Sequence, residues 1–141
     1  MGAEVDSGST PAAVIRELYA EWSRGNMDAV VEYLAPDVIF RSVTIINPAY
    51  GHDGVRGLHS DILSTVSDWS IEIEELIESG DRVFVRERQR AVGRKSGAPL
   101  DATYYAAFLV RDGLITEGLW FHNRADALDA ARITDVRSPV S

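Results

Sequence analysis

The chain contains no cysteine, which removes disulfide frameworks, thiol nucleophiles and thiolate metal sites together. Histidine is scarce as well. His52, His59 and His122 show no ligand spacing, and the seven-residue interval between His52 and His59 is interrupted by Gly54, so no bound metal is expected. Positive charge is in deficit: 14 Lys plus Arg stand against 22 Asp plus Glu, a net charge of −8 spread along the chain. Nucleic acid and anionic membrane surfaces both require a basic face, so neither is an expected partner. No stretch approaches the roughly 18 apolar residues of a membrane span. The opening run, with Glu4, Asp6, Ser7, Gly8 and Ser9, lacks the basic start and apolar stretch of a signal peptide, and a cytoplasmic protein is the simplest expectation. No Gly-rich phosphate loop follows a strand and no Gly-x-Ser-x-Gly elbow occurs, which sets aside nucleotide cofactors and serine-hydrolase chemistry. No cofactor is expected.

What is present fits one domain built round one pocket, since 141 residues suffice for a single core but not for two ordinary ones. Residues 11–131 form the expected domain, with residues 1–10 and 132–141 as flexible ends. Thr10 before Pro11 reads as a helix start, because Thr caps unpaired N–H groups and Pro has none to lose. Val14, Leu18 and Trp22, widened by Ile15 and Tyr19, give that helix an apolar face that ends at Gly25. Asn26 is placed to cap a short second helix with Met27, Val30, Val31 and Leu34 inward, closed by Pro36. A β-branched run from Val38 to Ile46 predicts a strand, and Asn47, Pro48 and Gly51 a loop. Asp53 is the expected cap of a third helix carrying Val55, Leu58, Ile62 and Val66. After Trp69 the turn signals recur regularly. Strands are expected over 70–77, 82–92, 100–111 and 114–122, the last two joined by a tight Asp112-Gly113 hairpin, followed by a helical piece over 125–131.

That order resembles the nuclear-transport-factor-2-like superfamily, in particular its SnoaL-like and ketosteroid-isomerase-like branch. The resemblance is carried by Ile15-Arg16-Glu17-Leu18-Tyr19 leading to Arg24-Gly25-Asn26-Met27-Asp28, then by Leu34-Ala35-Pro36-Asp37-Val38 and Tyr50-Gly51-His52-Asp53-Gly54-Val55. Further on come Gly80-Asp81-Arg82-Val83, Val110-Arg111-Asp112-Gly113-Leu114-Ile115 and Ala125-Asp126-Ala127-Leu128. It implies an α+β, cone-shaped fold: a strongly bent, mainly antiparallel (mixed) sheet wrapped round three helices in the order α-α-β-α-β-β-β-β, with a short C-terminal helix. It also implies an interior cavity and a homodimer through the outer sheet face.

Strand alternation sorts the residues available to the cavity. Val83, Val85, Glu87 and Gln89 share one face of the long strand, while Phe84, Arg86, Arg88 and Arg90 share the other. A face with three arginines is costly to bury, so the first set looks inward. Ala102, Tyr104, Ala106 and Phe108 on the next strand, and Gly118, Trp120 and His122 on the last, complete the inward sets. The steroid-isomerase positions for a helix tyrosine, an aspartate base and a protonated acid correspond to Leu18, Ser42 and Tyr104, so that machinery is absent as such. In the epoxide-hydrolase pattern Arg88 matches the arginine, but Arg90 replaces its aspartate and Leu119 or Trp120 stands near the other. The cyclase position near the last strands holds His122.

Glu87, Tyr104 and His122 remain as the candidate catalytic set: a carboxylate with a raised pKa, a hydroxyl donor and an imidazole suit proton abstraction beside a carbonyl. Glu87 reads equally as an ion-pair partner of Arg86 or Arg88, and His122 as a strand-end residue bonded to backbone. The expected pocket comprises Leu18, Trp22, Phe40, Ser42, Tyr50, Val85, Gln89, Ala106 and Trp120. Such aromatic walls suit a flat apolar ligand of polyketide, terpenoid or steroid type. Three functions are compatible with this pattern: a cofactor-free isomerase, cyclase or dehydratase, a non-catalytic small-molecule binder, and a dimeric interaction module.

Overall fold

The structure, a computed structural model, describes residues 10–43 and 47–134. The expectations for residues 1–9, 44–46 and 135–141 lie outside the described residues.

Helix α1 spans Pro11–Ser23, and the Thr10 hydroxyl accepts a hydrogen bond from the Ala13 N–H at 3.1 Å, as the Thr-Pro start predicts. Its buried face, Val14, Ile15, Leu18, Tyr19 and Trp22, packs on the sheet. Full burial of each aliphatic side chain contributes about 2 kcal/mol. The second helix, α2, is a single turn over Met27–Val30 that tightens into a 3-10 turn at Val31–Tyr33. Asn26 does not cap it; its carboxamide turns back to donate to Glu21 at 3.3 Å.

Strand β1 runs Leu34–Ser42, four residues ahead of the expected start, so Pro36 lies inside a strand rather than closing a helix. The reason is a register shift between Leu34 and Ile39 in the pairing with β6, which leaves the exposed Pro36 where no ladder partner needs its missing N–H. A two-residue strand, β2 (Ala49–Tyr50), pairs antiparallel with β1. Helix α3 spans Gly51–Thr65, beginning before Asp53, which occupies the first turn instead of the cap. The His52 ring Nε2 lies 2.9 Å from the Leu34 carbonyl and pins the start of α3 to the start of β1.

The remaining strands are β3 (Val66–Ser79), β4 (Arg82–Gly93), β5 (Pro99–Arg111) and β6 (Leu114–Phe121). They form with β1 and β2 a six-stranded mixed sheet in the order β2-β1-β6-β5-β4-β3, in which β1–β6 is the parallel pair. Asp112 and Gly113 both have positive φ, which fits the two-residue hairpin between β5 and β6 to the twist of its strands. Helix α4 (Arg124–Ala130) is capped by the Asn123 side chain, which accepts from the Asp126 N–H at 2.8 Å.

The main core fills the concave side, between the sheet and α1. Gly118 sits there opposite Phe40 and Phe108; a Cβ at this position would stand 3.0 Å from both rings, so the aromatic packing requires glycine. A smaller cluster lies on the other side of the sheet, where α4 packs Ala127, Leu128 and the following Ala131 over Phe84 and Ala107. The fold is the α+β cone, with four helices and an open sheet among the described residues. Among the described residues no helix is long and apolar enough to cross a membrane.

Candidate active site

The site starts from Glu87, at the middle of β4. The register sets it between Ile73 on β3 and Tyr104 on β5, on the concave face, and it is 0% exposed. Its Oε1 accepts from the Tyr19 hydroxyl at 2.5 Å and from the Trp120 indole N–H at 2.9 Å, while Oε2 accepts from the Gln89 carboxamide at 2.5 Å. All three donors are neutral. Arg86 and Arg88, the alternative ion-pair partners, are on the opposite face with Glu74, Glu75 and Asp101. Burial without a counter-charge pushes the Glu87 carboxyl above its ordinary range, and the hydrogen bonds from Tyr19, Gln89 and Trp120 pull only part of the way back. The Tyr19 hydroxyl is itself pushed well up, first by burial and then by the adjacent carboxylate, so it stays a donor.

In front of this carboxylate is a cavity of about 150 Å³ lined by Trp22, Phe40, Leu58, Ile62, Trp69 and Trp120, with Ser42, Gln89 and Tyr104 as its polar wall residues and the exposed Arg41 at its edge. Trp69 reaches it because β3 carries a register shift between Ser67 and Ser70, with Asp68 at φ 52°, that re-aims the strand there. The indole N–H of Trp69 donates to Gln89 Oε1 at 3.1 Å, so Trp69, Gln89 and Glu87 form one chain of hydrogen bonds. Trp22 donates to Nδ1 of His59 at 3.2 Å. That imidazole is 6% exposed, and burial lowers its pKa, which keeps it a neutral acceptor. A wider hollow of about 410 Å³, lined by Val43, Pro48, Leu119 and Phe121, shares Arg41, Ser42 and Trp120 with the inner cavity.

Of the residues predicted to line the pocket, Trp22, Phe40, Ser42, Gln89 and Trp120 do so. Leu18, Val85 and Ala106 are fully buried in the core and do not line the cavity. Tyr50 is 59% exposed at the edge, beside the start of α3. Of the candidate catalytic set, Glu87 and Tyr104 are adjacent on the concave face, whereas His122 is exposed. The strand ends at Phe121 and Asn123 already caps α4, so His122 stands one residue past the end of β6. Its ring centroid lies 6.0 Å from that of Tyr104.

Sequence reasoning missed two residues. Tyr19, one position after the helix residue aligned to the isomerase tyrosine, is the one that reaches Glu87. His59 was legible as a residue at i+4 from the buried Val55. Among the described residues, no three His, Asp or Glu side chains gather as a metal site.

A cone-shaped α+β fold enclosing an aromatic cavity with one carboxylate behind its wall defines a small-molecule pocket protein of the nuclear-transport-factor-2-like class. The chain belongs to the SnoaL-like domain family, which it matches over residues 15–118. No match was found among curated proteins. Its fold is similar to that of a Burkholderia pseudomallei nuclear-transport-factor-2-like protein of unknown function, at 20% identity and TM-score 0.74, covering 87% of this chain and 98% of that one. It is also similar to a Catenulispora acidiphila protein of ketosteroid-isomerase-like fold in complex with trimethylamine, at 16% identity and TM-score 0.73, covering 89% and 96%. A third is IdmH, a candidate polyketide cyclase from Streptomyces antibioticus, at 20% identity and TM-score 0.72, covering 89% and 100%.

Proposed function

We propose that this chain is a cofactor-free enzyme that moves a proton on a small apolar ring compound of polyketide, terpenoid or steroid type, in an isomerisation, cyclisation or dehydration. The observation that carries the reading is Glu87: a fully buried carboxylate, bonded to neutral donors, directly behind an aromatic cavity. Desolvation makes such a carboxylate a stronger base than one in water. In this reading Glu87 takes a proton from the carbon beside a substrate carbonyl, and the electron pair passes to the carbonyl oxygen. Tyr104, across the register from Glu87 and in the cavity wall, donates a hydrogen bond to that oxygen. The proton then returns at a different carbon. His122 stays outside the proton path.

The candidate polyketide cyclase among the structural neighbours supports the substrate class, and the neighbour holding trimethylamine supports a small ligand. A homodimer through the outer sheet face belongs to the same reading, docked away from the end that α4 covers.

A binding protein without turnover is the second reading, and one observation favours it. Glu87 does not itself line the cavity and both its oxygens already accept hydrogen bonds, so a substrate reaches the carboxylate only if a wall residue such as Gln89 moves. Deuterium uptake by a panel of enolisable ring ketones and polyketides in D₂O separates the two. Catalysed exchange is expected, reduced about 100-fold in Glu87→Gln and retained in His122→Ala. Equal exchange in Glu87→Gln and wild type removes Glu87 from the mechanism; ligand binding with no exchange leaves the binding protein.

A further inference from the structure

We infer that the group held in the aromatic cavity is a cation, a tertiary or methylated ammonium, with Glu87 as its buried counter-charge. The inference rests on the reading of this cavity as a small-molecule site, and it holds with or without turnover.

The first argument concerns what the walls have left to offer. Trp22, Trp69 and Trp120 are all the tryptophans of the chain, and all three line the cavity. Every one of their N–H groups is already bonded to the protein, to His59, Gln89 and Glu87 respectively. An acceptor group in the cavity would therefore turn to Tyr104, since the indole donors are committed. With the donors committed, the indoles offer their π-systems, which attract cations. The rings stand close enough to act together: Trp22 lies 5.8 Å from Trp69 and 6.0 Å from Trp120, and Phe40 lies 4.9 Å from Trp120.

The second argument concerns charge. Glu87 lies one side chain behind the wall, bonded to Gln89 and Trp120, which both face the cavity. Neutral donors stabilise a carboxylate in the interior but do not neutralise it. A cation in the cavity completes an ion pair across a low-dielectric gap, where attraction is stronger than in water. The other charged residue at the cavity, Arg41, alternates to the opposite face of β1 from Phe40 and Ser42 and is exposed, so it does not fill that role. The remaining polar groups of the wall, Ser42 and Tyr104, carry no charge that repels an ammonium.

The test is a titration of the full chain by intrinsic tryptophan fluorescence with tetramethylammonium, choline and 3,3-dimethylbutan-1-ol, the last being a neutral match to the shape of choline. Choline is expected to bind about tenfold tighter than the neutral alcohol, from cation–π attraction and the carboxylate together. Glu87→Gln is expected to remove most of that ratio while leaving the alcohol unaffected. Trp69→Leu, which keeps the wall apolar, is expected to weaken choline more than the alcohol and leaves two tryptophans to report. Alcohol binding as tightly as choline in the wild type overturns the inference, as does a ratio unchanged in both variants. If ring ketones quench the fluorescence and the ammonium ions do not, the cation inference falls and the small-molecule site stands. If none of these ligands binds, both fall.

Discussion

The two faces of β4 carry charges in opposite company. On the convex face Arg86, Arg88 and Arg90 meet Glu72, Glu74, Glu75 and Asp101 of the flanking strands, with water on one side. On the concave face Glu87 has a phenol, an indole and a carboxamide, and no exposure to solvent. Opposite charges in solvent are cheap to place and cheap to lose, because water substitutes for either partner. A lone charge in the interior is costly, and every group that supports it is committed to it. The residue whose placement is hardest to explain by stability is therefore the one in the site.

Removing the interior acceptor gives the largest effect. In Glu87→Ala the Tyr19, Trp120 and Gln89 donors lose their acceptor at 1–3 kcal/mol each, partly offset by relief from burying the carboxylate, for a net loss of about 3 kcal/mol in urea denaturation. A loss no larger than that of an arginine on the other face would erase the contrast. Next in size is a pH effect. The folded Glu87 carboxyl titrates above its ordinary value of 4.5, so between the two the folded chain holds a proton that the unfolded chain releases. Its contribution to stability is complete below the unfolded value and is lost as pH rises through the folded one. Glu87→Gln has no such proton, so its stability relative to wild type rises with pH across that interval. Parallel pH profiles of the two proteins would show that burial does not perturb this group. The smallest effect belongs to the convex face. Arg88 and Asp101 form a bidentate pair at 2.7 and 2.5 Å, with side chains 34% and 49% exposed. Arg88→Ala is expected to move the denaturation midpoint less than either change at Glu87, and the difference shrinks further in high salt.

The facing of β4 was legible because burying three arginines on one side costs more than burying one glutamate on the other. The Asp112-Gly113 hairpin was legible because few dipeptides tolerate two positive φ angles. The start of β1 was not, since Pro36 signals a helix stop wherever it occurs, and only the long-range register with β6 shows that its N–H is not needed. Tyr19 was passed over for Leu18 because both lie on the same broad buried face of α1. Which of two neighbours on such a face meets Glu87 is decided by how the helix is rotated on the sheet, and periodicity does not fix that angle. For His122 the alternation named the right neighbour, Tyr104, but did not show that the residue lies past the end of the strand and is exposed.

The parallel pairing of β1 with β6 also sets when the pocket comes into being. Phe40 and Gly118 are register partners about eighty residues apart, as are Ser42 and Trp120, while β3 to β6 are joined by successive hairpins. Contacts so distant along the chain close late, after the local hairpins have formed. Two walls of the cavity, Phe40 with Ser42 and Trp120, meet only at that last closure. A folding chain therefore has its meander before it has a site, and a chain that frays at β1 loses the site while most of the sheet is still intact.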